Sequence, residues 1–542
     1  MKKSTFVKGA FITTFGIVLS KILGVLYVIP FHAIIGEKGG ALYGYAYTIY
    51  LLFMSLSSAG IPLAISKVVS EYQTLGYHSA KKRTFILGKK IAMVMGMLSF
   101  ILIMIFAPYL AKWVMGDLTG GNTVQSVTMV IRIIATAVLI VPVLSVYRGY
   151  FEGHRFMSPP SVSQVVEQLV RVFLIVLGSY LVVDIFKLSL TTAVGVALLG
   201  ATVGALVSYF YLVVKLNKNK TKFNEKIRNT NEPIITNKEI VKKIIFYAVP
   251  FIMIDIFKAM YNYIDMVTVV KALVNVAKFS VVDSEIVMSM LSTWGSKFNM
   301  IILSISTGVI VSLIPNLTQS IVKKDKKDIN KKVNQALNLL LVFMLPMTLG
   351  ISFLAKPIWN VFYGTSEYGP SILSIYIFVG LIIGLFTAMI TVVQLFKDYK
   401  MVFISLISGV LVKCLLNVSL IRTFYTLGIP AYYGVIVASL LGYLTSFIIC
   451  IVVLRTKYKI EFDEWFNHFI DILCGSFFMY IVLFIMSFIV PLDLDNRILN
   501  IFIIMLYSIV GAIVYFIFIM KTKTLEKIFG ERVDKFLKKL VK

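Results

Sequence analysis

The sequence is poor in cysteine, histidine, tryptophan and acid. Of 542 residues only 3 are cysteine, 4 histidine and 4 tryptophan. Cys414, Cys450 and Cys474 each lie inside an apolar run and show no spacing for a disulfide framework or a metal site. The histidines (His32, His78, His154, His468) are scattered. Charged residues make up 15% of the chain, against about 25% in soluble proteins. That shortage excludes disordered chains, which rely on charge to stay solvated. With 58% hydrophobic residues it excludes a water-soluble core as well. No GxxxxGK[ST] phosphate loop and no HExxH pair occurs, so nucleotide hydrolysis by that route and zinc-protease chemistry lack the residues they need. No cofactor is implied. Acid is scarce beside base: 26 Asp and Glu stand against 53 Lys and Arg, a net charge of +27.

What the chain does have is long apolar runs, with a mean hydropathy of +0.89. A helix needs about 20 apolar residues to cross the hydrocarbon layer. Fourteen runs qualify, at 7–32, 40–68, 85–112, 122–147, 160–183, 190–215, 240–270, 285–317, 333–356, 370–395, 401–422, 431–454, 466–490 and 497–520. None alternates polar and apolar residues as a barrel strand does, so an all-α polytopic membrane protein with 14 transmembrane helices is expected. The run 7–32 is too long, and lacks the small-residue cleavage site, for a signal peptide.

Cytoplasmic loops collect Lys and Arg. With the N-terminus inside, the inner segments hold 39 of the 53 basic residues and the outer ones 8. Both termini are therefore expected to be cytoplasmic, and most of the +27 is a topology signal rather than a nucleic-acid footprint.

The first twelve spans read as two six-helix copies. LVRVFL (169–174) matches LVKCLL (411–416), Ala107 and Gly116 match Ala355 and Gly364, and Gly195 and Ser208 match Gly434 and Ser446, at offsets between 238 and 248 residues. This organises the chain into an N-lobe (1–215), a cytoplasmic linker (216–239), a C-lobe (240–455), a further helix pair (456–520) and a basic tail (521–542). Copies of even helix number share one topology, which places a substrate site between them at mid-depth. GxxxG spacings (Gly200–Gly204, Gly380–Gly384) indicate close helix packing.

Ionisable residues inside spans cost several kcal/mol facing lipid, so each is expected to face a cavity or a partner. The basic ones are Lys21, Arg132, Arg171, Lys258, Lys297 and Lys413; the acidic ones are Glu167, Asp255, Asp265 and Asp471. Glu167 and Arg171 are four apart on one helix face, and Asp255 and Lys258 three apart, so both are candidate structural pairs. Lys21, Lys297 and Lys413 have no acidic partner at helical spacing and are candidate cavity residues, with Lys258 and Arg132 beside them. The interior surplus is positive. It suits an anionic cargo, phosphates above all. A membrane potential, negative inside, favours outward movement of anions by about 2.3 kcal/mol per charge per 100 mV.

SKILGVLYVIPF (20–31), SSAGIPLAISKVVSEY (57–72), RGYFEGHRFM (148–157), PSVSQVVEQLVRV (160–172) and SLIPNLTQ (312–319) resemble the polysaccharide-transport branch of the MOP exporter superfamily, in particular its MurJ/YtgP/SpoVB group of lipid II flippases and sporulation relatives. The resemblance implies a MATE-like two-lobe fold and a lipid-binding groove at spans 13–14. It also implies alternating access that carries an undecaprenyl-diphosphate-linked sugar outward. It places cavity cations on spans 1, 2 and 8, where this chain has Lys21, then Phe53 and Met54 in place of a cation, then Lys297. Some members of the family bind sodium between spans 7, 11 and 12. Here Asp265, Asn417 and Thr445 are the matching oxygen donors, and the Lys413 ammonium, one turn from Asn417, takes the place of the metal cation.

Other functions compete. One is export of another polyprenyl-linked oligosaccharide or a sporulation-specific role. Another is a non-transporting membrane scaffold for cell-wall enzymes, and a multipass transferase is disfavoured by short outer loops. Expected partners are the lipid-linked anionic glycan, membrane lipids and cell-wall synthesis enzymes, with the chain acting as a monomer and binding no nucleic acid.

Overall fold

The computed structural model describes residues 20, 23–58, 60–116, 121–154, 156–219, 233–492, 496–524 and 526. Lys21, most of the 216–239 linker and most of the 521–542 tail lie outside the described residues. Every regular element among those described is helical, as apolar runs without alternation require. Twelve helical stretches are long and apolar enough to cross a membrane.

One of them, Leu23–Leu75, takes in the expected spans 1 and 2. It contains α1 (Val28–Ser57) and α2 (Ile61–Leu75). Within α1 two helices meet at Gly36 (φ 62°, ψ −170°), a backbone conformation open to glycine and strained for other residues. The turn between the two expected spans is therefore made at a single residue.

The first compact unit, Met1–Thr293, continues with α3 (His78–Met115), α4 (Val124–Gly153), α5 (Ser158–Phe173), α6 (Leu190–Lys218), α7 (Asn237–Asn275) and α8 (Val281–Ser289). The start of α7 is fixed by a capping box, in which Thr236 accepts from the Glu239 amide while the Glu239 side chain accepts from that of Thr236. α7 corresponds to the expected span 7 but carries Asp255, Lys258 and Asp265 along its length, and it is not among the twelve stretches. It packs on α1, α2 and α3, so by packing the first unit runs past the 216–239 segment. Ile65, Val68 and Val69 of α2 meet Val146 and Tyr150 of α4 and Ile244 of α7 in its core.

Small residues set the spacing of these helices. A Cβ at Gly149 would stand 2.4 Å from the Pro62 carbonyl oxygen, and one at Gly153 2.8 Å from that of Ser66. α4 thus crosses α2 backbone against backbone, the contact that drives association where lipid removes the hydrophobic difference between helices. Gly200 and Gly204 of α6 do the same on α5, where a Cβ would come within 3.0 Å of the Arg171 carbonyl and 2.7 Å of the Glu167 carbonyl.

The second unit, Trp294–Lys542, holds α9 (Ser296–Lys323), α10 (Lys326–Phe353), α11 (Ala355–Tyr363), α12 (Gly369–Leu395), α13 (Tyr399–Thr426), α14 (Tyr432–Thr456), α15 (Asp463–Ser487) and α16 (Arg497–Lys521). α13 packs along α14, α9 against α12, and α10 against α15, which is paired with α16. Large apolar side chains such as Phe210, Phe477 and Phe502 point outward, the arrangement lipid favours and water does not.

Candidate functional site

In the first unit the site begins with α5. Prolines in its first turn, at 159 and 160, fix its start, and Ser163, Glu167 and Arg171 then follow at intervals of four on one face. The close approach of α6 at Gly204 brings Ser208 onto that face, where its hydroxyl donates to the Ser163 carbonyl at 2.8 Å. From the last turns of α4, Arg148 donates through Nε to Ser163 Oγ at 2.9 Å and through a terminal nitrogen to Glu167 Oε2 at 2.7 Å. Arg171 donates to the other oxygen, Glu167 Oε1, at 2.7 Å.

One carboxylate therefore bridges two guanidiniums, all three side chains 13–17% exposed, and the cluster keeps one net positive charge. Among the described residues the Arg171 Nε has no hydrogen-bond partner. The phenols of Tyr43, Tyr47 and Tyr50 lie within electrostatic range of this guanidinium, and the Tyr43 and Tyr47 rings stack at 5.6 Å. Span 2 thus presents three phenols to this guanidinium. Arg148, which the loop count assigned to the cytoplasmic side, is the member the sequence reading missed.

The other expected residues fall in different surroundings. Lys413 is fully buried between α13 and α14 rather than lining an open cavity, its Nζ donating to the Val435 carbonyl at 3.0 Å and to Ser439 Oγ at 2.7 Å. Asn417, one turn on, is buried as well. Thr445 does not join them: its hydroxyl donates to the Leu441 carbonyl of its own helix at 2.8 Å, and Ser439 supplies the hydroxyl beside Lys413. Arg132 is exposed, while its neighbours Ile131, Ile134 and Ala135 are the ones turned inward, and it lines an open cleft with Pro108, Thr128 and Met129. Asp255 is exposed and Lys258 half-buried, and no ion pair closes between them among the described residues. Asp265 and Lys297 are half-buried. Lys297 stands in the first turn of α9, just beyond a π-helical turn at Met290–Trp294 that interrupts the expected span 8; such turns recur at functional positions in helices. Asp471 accepts from the Thr524 hydroxyl at 2.8 Å.

The second unit also contains an apolar groove of about 360 Å³. Val342, Pro346 and Gly350 of α10 form one wall, with Leu483 of α15 and Tyr507 and Gly511 of α16 opposite.

Bundled membrane-length helices define a polytopic membrane protein. Known proteins narrow this class. Residues 6–319 match the family model described as polysaccharide biosynthesis protein, and residues 284–419 match the MatE model. The chain is 31% identical over 545 residues to the lipid II flippase MurJ of Bacillus subtilis (strain 168), covering 99% of each. It is 32% identical to stage V sporulation protein B of the same organism, over 41% of each chain. Its fold matches that of lipid II flippase MurJ in an inward closed conformation with a TM-score of 0.63 at 16% identity, covering 95% of this chain and 99% of the other. It matches an inward-facing multidrug resistance MATE transporter with the same TM-score at 12% identity, over 81% and 96% of the two chains; at such identities the likeness is one of fold. The chain belongs to the polysaccharide biosynthesis protein family, in its MurJ-type lipid II flippase group.

Proposed function

We propose that this protein moves lipid II, the undecaprenyl-diphosphate-linked peptidoglycan precursor, from the inner to the outer leaflet by alternating access. One observation carries this function: 31% identity sustained over 99% of both chains to a lipid II flippase. Identity at that length retains fold and site together, whereas the fold alone is shared with drug exporters.

The site chemistry agrees. A diphosphate needs cations with free donors, and the Arg148–Glu167–Arg171 cluster offers a surplus charge with an unpartnered Nε. Lys297, Lys258 and Lys21 add positive charge, and the phenols beside Arg171 suit sugar hydroxyls. The apolar groove on α10, α15 and α16 suits the polyprenyl tail. The chain crosses the membrane fourteen times with both termini cytoplasmic, works as a monomer and is driven by the membrane potential or an ion gradient. It has no catalytic role. In this scheme the buried Lys413 ammonium stands as a fixed cation against the Val435 carbonyl and Ser439 hydroxyl, which makes transport independent of sodium.

Rescue of cells depleted of their own lipid II flippase tests the function. The chain restores growth, and Arg171→Ala and Lys297→Ala restore none. Full rescue by both variants contradicts the site, and no rescue by the unaltered, membrane-inserted chain contradicts the function. Lys413→Gln lowers transport in vesicles; unchanged activity, with and without sodium, contradicts its role as a fixed cation.

A further inference from the structure

The end of the first unit away from the lysine-rich start of α3 is closed over a buried carboxylate. Glu285 of α8 is 1% exposed. Its two oxygens accept the Asn122 backbone N–H at 3.1 and 2.9 Å, and Oε2 also accepts the Asn122 side-chain amide at 2.9 Å. The same amide donates to the Lys38 carbonyl of α1 at 3.3 Å. A Cβ at Gly121 would stand 2.6 Å from the carboxyl carbon, so the backbone entering α4 lies directly against the carboxylate.

Further contacts close the same end. Thr293 donates to the Gly40 carbonyl of α1 at 2.9 Å, and a Cβ at Gly44 would stand 2.4 Å from Ser292 Oγ. Lys271, near the end of α7, donates to the Trp113 carbonyl at the end of α3, beside the Trp113–Tyr263 ring pair. Each of these contacts joins a residue of the expected C-lobe to α1, α3 or the segment entering α4, all of the expected N-lobe. In a carrier whose two copies part at one end at a time, such contacts break when their end opens.

The carboxylate is held by neutral donors. Among the described residues no ion pair reaches Glu285. Lys38 and Tyr45, both of α1, lie in its electrostatic range, and the buried Tyr45 hydroxyl has no hydrogen-bond partner among the described residues. A buried charge gives up its water at a cost that only its hydrogen bonds offset. Here those bonds come from one residue, Asn122.

We infer that Glu285 is a loaded latch for this end of the carrier. Its charge favours opening, because water then returns to the carboxylate; the Asn122 donors hold the end closed by standing in for that water. Glu285 and Asn122 are thus positioning residues that set how often this end opens. The inference rests on the proposed alternating access and names a contact that controls it; on the proposed topology the end is the outer one.

The sign of the effect separates a latch from a simple tie. Removing the Asn122 side chain leaves the charge buried and short of donors, which drives opening, whereas removing the charge as well relieves the drive. The test uses the full chain with Cys414, Cys450 and Cys474 replaced by alanine. The reporter is Ser289→Cys, fully buried one turn beyond Glu285 on the same face. A membrane-impermeant maleimide is added to intact cells.

Asn122→Ala is expected to raise the labelling rate about tenfold, the loss of one hydrogen bond to a charged acceptor. Asn122→Asp, which sets a second carboxylate against the first, raises it too. Adding Glu285→Gln to Asn122→Ala returns the rate close to that of the parent. A cysteine at Thr84, buried near the start of α3, stays protected from a permeant maleimide throughout. Unchanged labelling in both Asn122 variants overturns the latch. So does a double variant that labels faster than Asn122→Ala, or a rise at residue 84 as well, since either marks a merely structural tie. Growth rescue by the unaltered chain keeps the two levels apart: failed rescue with the labelling pattern intact removes the cargo and leaves the latch, and rescue without that pattern does the reverse.

Discussion

Arg148, Glu167 and Arg171 make the sharpest claim at the level of single residues. A carboxylate bridging two partly buried guanidiniums at 2.7 Å each cannot be removed without leaving two like charges face to face. Glu167→Gln is expected to destabilise the protein by about 3 kcal/mol, read as a lower midpoint of denaturant-induced unfolding, and Arg148→Met added to it recovers part of the loss. A midpoint unchanged by Glu167→Gln contradicts the bridging geometry. The Glu167–Arg171 pair was legible from spacing alone, because both lie on one helix. Arg148 was not: it sits near the end of its helix, where a loop count claims it, and only the packing of α4 on α5 and α6 shows where it points. Ser439 was missed in favour of Thr445 for a related reason. Sequence shows that both are hydroxyls on one span, but which turn of α14 stands level with Lys413 depends on how far α13 and α14 slide along each other.

For the helices, the segment 148–172 stands out because each residue type has a packing reason. Gly149 and Gly153 admit the α2 backbone, and Arg148 turns to α5. Gly153→Leu is expected to separate α4 from α2 and cost about 1–3 kcal/mol, measured as a fall in melting temperature; a variant as stable as the parent contradicts the close crossing. The GxxxG pair Gly200–Gly204 announced such a contact in the sequence, while its partner on α5 did not.

At the end of α14 an ion pair is sensitive to pH. Asp398, between α12 and α13, accepts from Lys457 Nζ at 2.6 Å and from the Tyr458 hydroxyl at 3.0 Å. Burial pushes its carboxyl up, but the hydrogen bonds from Lys457 and Tyr458 outweigh it and hold the carboxyl below its ordinary value of 3.8. A depressed value means that the contribution is present above the ordinary carboxylate range and lost as pH falls through the folded value. Asp398→Asn is expected to lower the melting temperature at neutral pH and to flatten its decline in acid; parallel acid profiles for variant and parent contradict the link.

For the whole molecule, the helical membrane class was legible because long apolar runs record the membrane directly, and the family through the stretches, 148–172 above all, that resemble it. The helix boundaries were less so: Gly36 joins two expected spans through a single residue, and α7 carries enough charge to blur its outline. The packing units were not visible at all, since α7 belongs to the sequence repeat on one side and to its contacts on the other. Of the 53 basic residues behind the +27, 39 fall in segments that the loop count expects to be cytoplasmic.

The most direct measurement is the leaflet accessibility of labelled lipid II in cells depleted of their own flippase and expressing this chain. Surface accessibility is expected to return with the unaltered chain and to stay low with Arg171→Ala. Lipid II that remains in the inner leaflet while the unaltered chain is present in the membrane would contradict the account.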